Sequence, residues 1–238
     1  MVTALDFTQG LFSLIFVILN ITIGLRIVSR YIEFKRTELL LVGIAWMGLA
    51  NPWLPDTLNF ILLLTNSPFL DDYTYFIIGN AFLPIFITLW LISFSRLLKF
   101  EKRKLILGIT VILSIAFEIA FFIMLSIDTA LIGESLGPFH YEFSIFIMIY
   151  LLLCIFTILI TGLMFARESL KVDNPEIKLK GKLLIVAFIA FVFGALLDSM
   201  PILTATTVVL TRVILMISAV FFYMGFILPE WTKKIFLK

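Results

Sequence analysis

The sequence predicts an all-α integral membrane protein, a bundle of seven transmembrane helices with its N-terminus outside and its C-terminus in the cytoplasm. Three observations carry that expectation. The 238-residue chain is 62% hydrophobic, with a mean hydropathy of +1.15 and only 14% charged residues, whereas a soluble domain has about a quarter charged and under half apolar. Apolar runs near the roughly 20 residues that a span requires recur along the whole chain, at about 7–29, 39–64, 73–98, 105–127, 141–166, 183–200 and 203–228. The basic residues fall on alternate joints between these runs.

The first run follows MVTALDF, which has no Lys or Arg and so lacks the positive start of a cleavable signal peptide; the first helix is expected to stay. The second contains ANPWLPDTLN, where Pro52 and Pro55 interrupt the helix beside Asn51, Asp56 and Asn59. In the third, Pro84 removes a donor and is expected to free the carbonyl of Asn80. Freed backbone in lipid needs protein or water around it, which implies an outward-facing intramembrane cavity at this level. The fourth run carries Thr110, Ser114 and Glu118 at helical spacing, and the fifth carries Cys154, Thr157 and Thr161. Before the sixth, Asn174 suits the N-cap, Pro175 the first helical position and Glu176 the positive end of the dipole. After the seventh, LPEWTKKIF places Trp231, Ile235 and Phe236 to lie in the interface. The joints are too short to hold a soluble module, so residues 1–238 are expected to form a single transmembrane domain.

All but one of the 18 basic residues follow the first, third, fifth and seventh runs, while the other joints carry Asp71, Asp72, Asp128, Glu134 and Glu142. The positive-inside rule makes the basic side cytoplasmic, in a multi-pass protein of the cell membrane. These charges serve topology and contact with anionic membrane lipid, so the net charge of +2 indicates no nucleic-acid partner.

Laying IGLRIVSRYIEFK (23–35) on TGLMFARESLKVD (161–173), and ELLLVGIA (38–45) on KLLIVAFI (182–189), matches runs one and two to runs five and six. Read so, the chain is a 3+1+3 parallel repeat. That plan resembles SWEET-type sugar carriers, and has also been proposed for opsins and G-protein-coupled receptors; the resemblance covers architecture and helix count only. Asn80 and Arg212 stand at comparable positions in the third helix of each triplet, near the depth where sites of repeat transporters lie.

Arg212, within VVLTRVILMI, is the basic residue left inside a run. A charge near mid-bilayer costs at least about 2.5–3.5 kcal/mol, so Arg212 is expected to face inward and find a partner. At 1.5 Å per residue, Arg212 and Asn80 both lie roughly 12 Å below the outer surface, and Glu118 roughly 15 Å. Glu118 matches in depth, but the fourth helix of a seven-helix ring is peripheral. Asp198 on the neighbouring sixth helix and Asp56 at the helix break are the competing partners, with Asn80 beside them. Arg212, Asp198, Asp56, Asn80 and Glu118 are thus the candidate intramembrane charge cluster or ligand site.

Several chemistries are not expected. Retinal needs a lysine in the seventh run for its Schiff base; none occurs there, and a guanidinium stays protonated. His140 is the single histidine, which rules out paired-histidine haem ligation, and no Cys/His metal cluster is present. No cofactor, metal or enzymatic activity is therefore expected. The sequence points to a receptor- or sensor-like protein binding a small anionic or amphipathic ligand near Arg212 and signalling through a cytoplasmic partner. A small-solute or proton-coupled transporter built on the repeat is the alternative.

Overall fold

The computed structural model describes residues 2–199 and 204–237. The elements are α1 (Ala4–Phe34), α2 (Thr37–Gly48), α3 (Leu54–Leu64), α4 (Asp72–Phe76), α5 (Leu83–Leu97), α6 (Arg103–Ile127), a hairpin of β1 (Gly133–Gly137) and β2 (His140–Phe143), α7 (Ile145–Lys171), α8 (Pro175–Asp198), α9 (Ala205–Ile227) and α10 (Glu230–Phe236). Among the described residues, six helical stretches are long and apolar enough to cross a membrane: α1, the stretch Asp72–Leu97 through α4 and α5, α6, α7, α8 and α9. The protein is a multi-pass helical membrane protein.

The run at 39–64 is not one helix. It divides into α2 and α3, of 12 and 11 residues, around a 3-10 turn at Asn51–Trp53. Pro52 and Pro55 each lack a donor for the preceding turn, and both fall in the first turns of the segments that follow the break. The third run is broken too, by a π-helical segment at Ile77–Ala81 ahead of Pro84. The fifth helix begins at Ile145 rather than near 141, because 140–143 pair antiparallel with 133–137 and satisfy their backbone groups in a ladder. The sixth begins earlier than 183, at Pro175, where Asn174 Oδ1 accepts from the amides of Glu176 and Ile177 at 2.9 and 3.2 Å. The expected joint between the sixth and seventh helices, at 200–203, lies outside the described residues.

The helices pack in sequence order. α1 lies against α2, α3 and α9; α2 against α5; α5 against α7; α7 against α8; and α8 against α9, which closes a ring. α6 sits on the flank of α5 and reaches α7 by stacking Phe117 on Tyr150, with ring centroids 3.7 Å apart. Its apolar residues Leu105, Ile109, Ile112 and Ile119 are exposed, as a membrane-facing helix allows. One end of the bundle gathers the basic side chains: Arg96 donates to Thr37 at 3.0 Å, and Lys233 pairs with Glu176 at 3.2 Å. Towards that end the core is aromatic, with Trp46 stacked on Phe222 at 3.6 Å and Trp90 edge-on to Phe188.

Two glycines let α1 and α2 approach. A Cβ on Gly24 would meet the Gly43 carbonyl oxygen at 2.7 Å and the Met47 side chain at 2.2 Å. Gly24→Ala should lower the melting temperature in detergent, by the equivalent of about 1–3 kcal/mol for overpacking. Gly108→Ala on α6, where an added Cβ meets nothing within 4 Å, should cause no loss.

Candidate functional site

The Thr204–Thr207 capping box starts α9, and two turns later the helix carries Thr211 and Arg212 to the inside of the ring. Arg212 is 2% exposed. Its Nη1 lies 2.9 Å from Asp198 Oδ2 at the end of α8, and its Nη2 lies 3.8 Å from Asp56 Oδ2 in the first turn of α3. The guanidinium also sits over the Trp53 ring, 5.6 Å from its centroid.

Each carboxylate has further donors. Trp53 Nε1 and Thr211 Oγ1 donate to Asp198 at 2.8 and 3.1 Å. Asp56 accepts from Tyr75 Oη at 2.6 Å, and from Gln9 Nε2 and Ser13 Oγ at 3.4 Å each. The 3-10 turn and α1, α3, α4, α8 and α9 thereby converge on one guanidinium. Its contact with Asp198 is close in distance but poorly aligned. Among the described residues neither Nε nor Nη1 has a hydrogen-bond acceptor, and Gln9 Oε1 has no donor. Two carboxylates face one cation, so with both ionised the cluster carries an excess negative charge.

The two helix breaks pack against each other beside this cluster. Asn51 Nδ2 donates to the carbonyls of Ile78 and Gly79 at 2.7 and 2.9 Å, filling the acceptors that the π segment leaves open. Gly79 lets the Pro55 ring come close, since a Cβ there would stand 3.2 Å from it. The released carbonyls are thus those of Ile78 and Gly79, not that of Asn80, whose oxygen receives the Phe82 amide. The wider π turn moves the break towards the N-terminus of the helix.

The structure brings Arg212, Asp198 and Asp56 together. Asn80 is buried nearby in sequence terms, but its amide donates to Phe76 O at 3.1 Å and, among the described residues, makes no hydrogen bond to the cluster. Glu118 is half-buried on α6, on the flank of the ring, and forms no ion pair among the described residues.

Gln9, Trp53 and Tyr75 escaped the sequence reading. Gln9 could have been found, because it precedes Ser13 by one turn on the face that also carries Asn20 and Gly24. The other unforeseen part is the hairpin. Its tip is drawn into the end of the bundle opposite the basic one: Gln9 Nε2 donates to Phe139 O, Asn59 Nδ2 donates to Pro138 O at 2.5 Å, and Phe139 is fully buried. Tyr141 stacks on Tyr75 with centroids 3.8 Å apart and donates to Asp72 at 2.9 Å. Burial pushes the Tyr141 hydroxyl up to about 12.

No protein-family model matches this chain, and neither the curated proteins nor the solved structures yield a match.

Arg212→Met should destabilise the protein in detergent by about 3–5 kcal/mol, the cost of orphaning a buried charge. Adding Asp198→Asn should recover more of that loss than Asp56→Asn, given the shorter contact, whereas Glu118→Gln should be additive with Arg212→Met. A second outcome concerns pH. Burial holds the His140 imidazole below its ordinary 6.5, with Arg212 reinforcing this and Asp6 and Asp198 opposing it. The unfolded chain therefore takes this proton more readily, so His140's contribution to stability is complete above pH 6.5 and is lost as pH falls below it. Melting curves from pH 7.5 to about 5 should show a shallower acid loss for His140→Gln.

Proposed function

We propose that this is a receptor- or sensor-like membrane protein of seven spans, counting α2 and α3 as one interrupted span. On this reading residues 1–238 form one domain in the cell membrane, with the N-terminus outside and the C-terminus in the cytoplasm. It binds a small ligand at the Arg212–Asp56–Asp198 cluster and signals to a cytoplasmic partner. No enzymatic activity and no cofactor belong to this reading.

One observation carries it: a fully buried guanidinium joins five helices, keeps donors unmatched and faces two carboxylates. A buried ion cluster is a poor way to stabilise a fold, because desolvation offsets the attraction. It is a good way to make helix positions depend on what is bound, since one added charge redistributes every contact in it. With both carboxylates ionised, charge balance bears on the ligand's sign. Arg212 alone suggests an acidic ligand, but an anion would add to the excess that Asp56 and Asp198 create. A cationic or protonated amphipathic group relieves it. At the basic end, a recess of about 160 Å³ lined by Arg36, Glu38, Ser169, Lys180 and Phe226 offers a partner a place to engage.

The transporter alternative is favoured by the facing breaks at Asn51–Trp53 and Ile77–Ala81, since interrupted helices commonly frame transport sites. Ring contacts also pair as a 3+1+3 repeat would require, α1 on α9 corresponding to α5 on α7. Against a symmetric rocking mechanism, α8 and α9 run unbroken where their counterparts are interrupted.

The test is a thermal-shift screen of cationic, neutral and anionic amphiphiles against the purified protein, with Asp56→Asn in parallel. A cationic ligand at 100 times its Kd should stabilise the protein by about 2.7 kcal/mol and should lose this effect in Asp56→Asn. Stabilisation by anions alone, or an undiminished effect in the variant, would overturn the reading. Accumulation of the ligand inside proteoliposomes would replace it with the transporter.

A further inference from the structure

A second polar site lies away from the Arg212 cluster, where α1 and α9 part at the basic end. A groove of about 270 Å³ is lined by Arg26, Ser29, Arg30 and Glu33 of α1 and by Tyr223 and Ile227 of α9. We propose that this groove binds the phosphodiester of a negatively charged membrane phospholipid.

Charge and geometry support a phosphate. Arg26 and Arg30 are one helical turn apart and share a face of α1. Arg30 pairs with Glu33 at 2.5 Å, while Arg26 has no ion pair among the described residues. The groove is left with one net positive charge, the complement of a phosphodiester. A guanidinium's planar fork of donors suits phosphate oxygens, and Tyr223 adds a phenol from the opposite wall.

Depth and surroundings favour a lipid over a soluble phosphate. About 30 Å of helix separates Asp6 from Arg26 at 1.5 Å per residue, close to the thickness of the hydrocarbon layer, so the groove lies near the headgroup level. Directly towards the membrane centre, α1 exposes Leu25, Ile21 and Ile18, and α9 exposes Val220 and Ile217. These form an apolar track for acyl chains leading away from the arginines. The site is independent of what the Arg212 cluster binds.

The experiment is native mass spectrometry of the full chain in maltoside detergent, with dioleoyl phosphatidylglycerol, diacylglycerol or inorganic phosphate added. One phosphatidylglycerol per chain should be retained, and Arg26→Gln/Arg30→Gln should weaken retention by at least about tenfold, two arginine contacts at the membrane surface being lost. Lys102→Gln/Arg103→Gln, elsewhere on the basic end, should retain it as the unaltered protein does. Tyr223→Phe provides a milder variant, expected to weaken retention without disturbing the arginines. Retention unchanged in both groove variants would overturn the proposal, as would equal retention of diacylglycerol. Displacement of the lipid by inorganic phosphate at equal concentration would overturn the lipid assignment and make the groove a site for a soluble anion.

Discussion

A guanidinium buried in a membrane bundle has to be surrounded by groups that accept its charge, and Arg212 imposes that requirement on nearly every element at its level. Its distance to Asp198 fixes the end of α8 against α9, and its distance to Asp56 holds the start of α3 inside the ring. Trp53 serves both partners, lying beneath the guanidinium and donating to Asp198. The cost of leaving any of these charges alone in a low-dielectric interior is several kcal/mol.

The broken helices follow from the same demand. A continuous helix through 39–64 would satisfy its own backbone, but Pro52 and Pro55 prevent one, and the resulting turn lets Asp56 and Trp53 approach from one segment. The break in the third run then supplies carbonyls for Asn51, so the side chain at one discontinuity completes the hydrogen bonding of the other. Above them the hairpin tip takes donors from Gln9 and Asn59, while Tyr141 is stacked on the tyrosine that donates to Asp56. Towards the basic end, the packed rings of Trp46, Trp90, Phe188 and Phe222 form an apolar floor. The cluster is thus a polar layer between a hairpin cap and an aromatic core.

Much of this was legible in the sequence. Membrane character follows from apolar length, because about 20 apolar residues in succession have no other comfortable environment. The interruption near Pro52 and Pro55, the cap at Asn174 and the inward preference of Arg212 each follow from local backbone chemistry or from the cost of charge in lipid. Asp56 and Asp198 stood ahead of Glu118 as partners of Arg212, since the fourth helix of a ring is peripheral, but depth along the helices could not exclude Glu118. Tertiary structure did so by placing α6 on the flank of α5 and bringing both aspartates to Arg212.

What the sequence by itself determined are properties of single segments: which stretches are apolar, where a proline removes a donor, which charges need burial. What only the tertiary structure decided are the meetings of segments: Trp53 between Arg212 and Asp198, Asn51 on the carbonyls of the π turn, and the hairpin tip against Gln9 and Asn59. The reason is physical. Burial and capping act over one or two helical turns and leave a periodic trace, whereas a hydrogen bond between residues 130 positions apart depends on how whole helices rotate and approach.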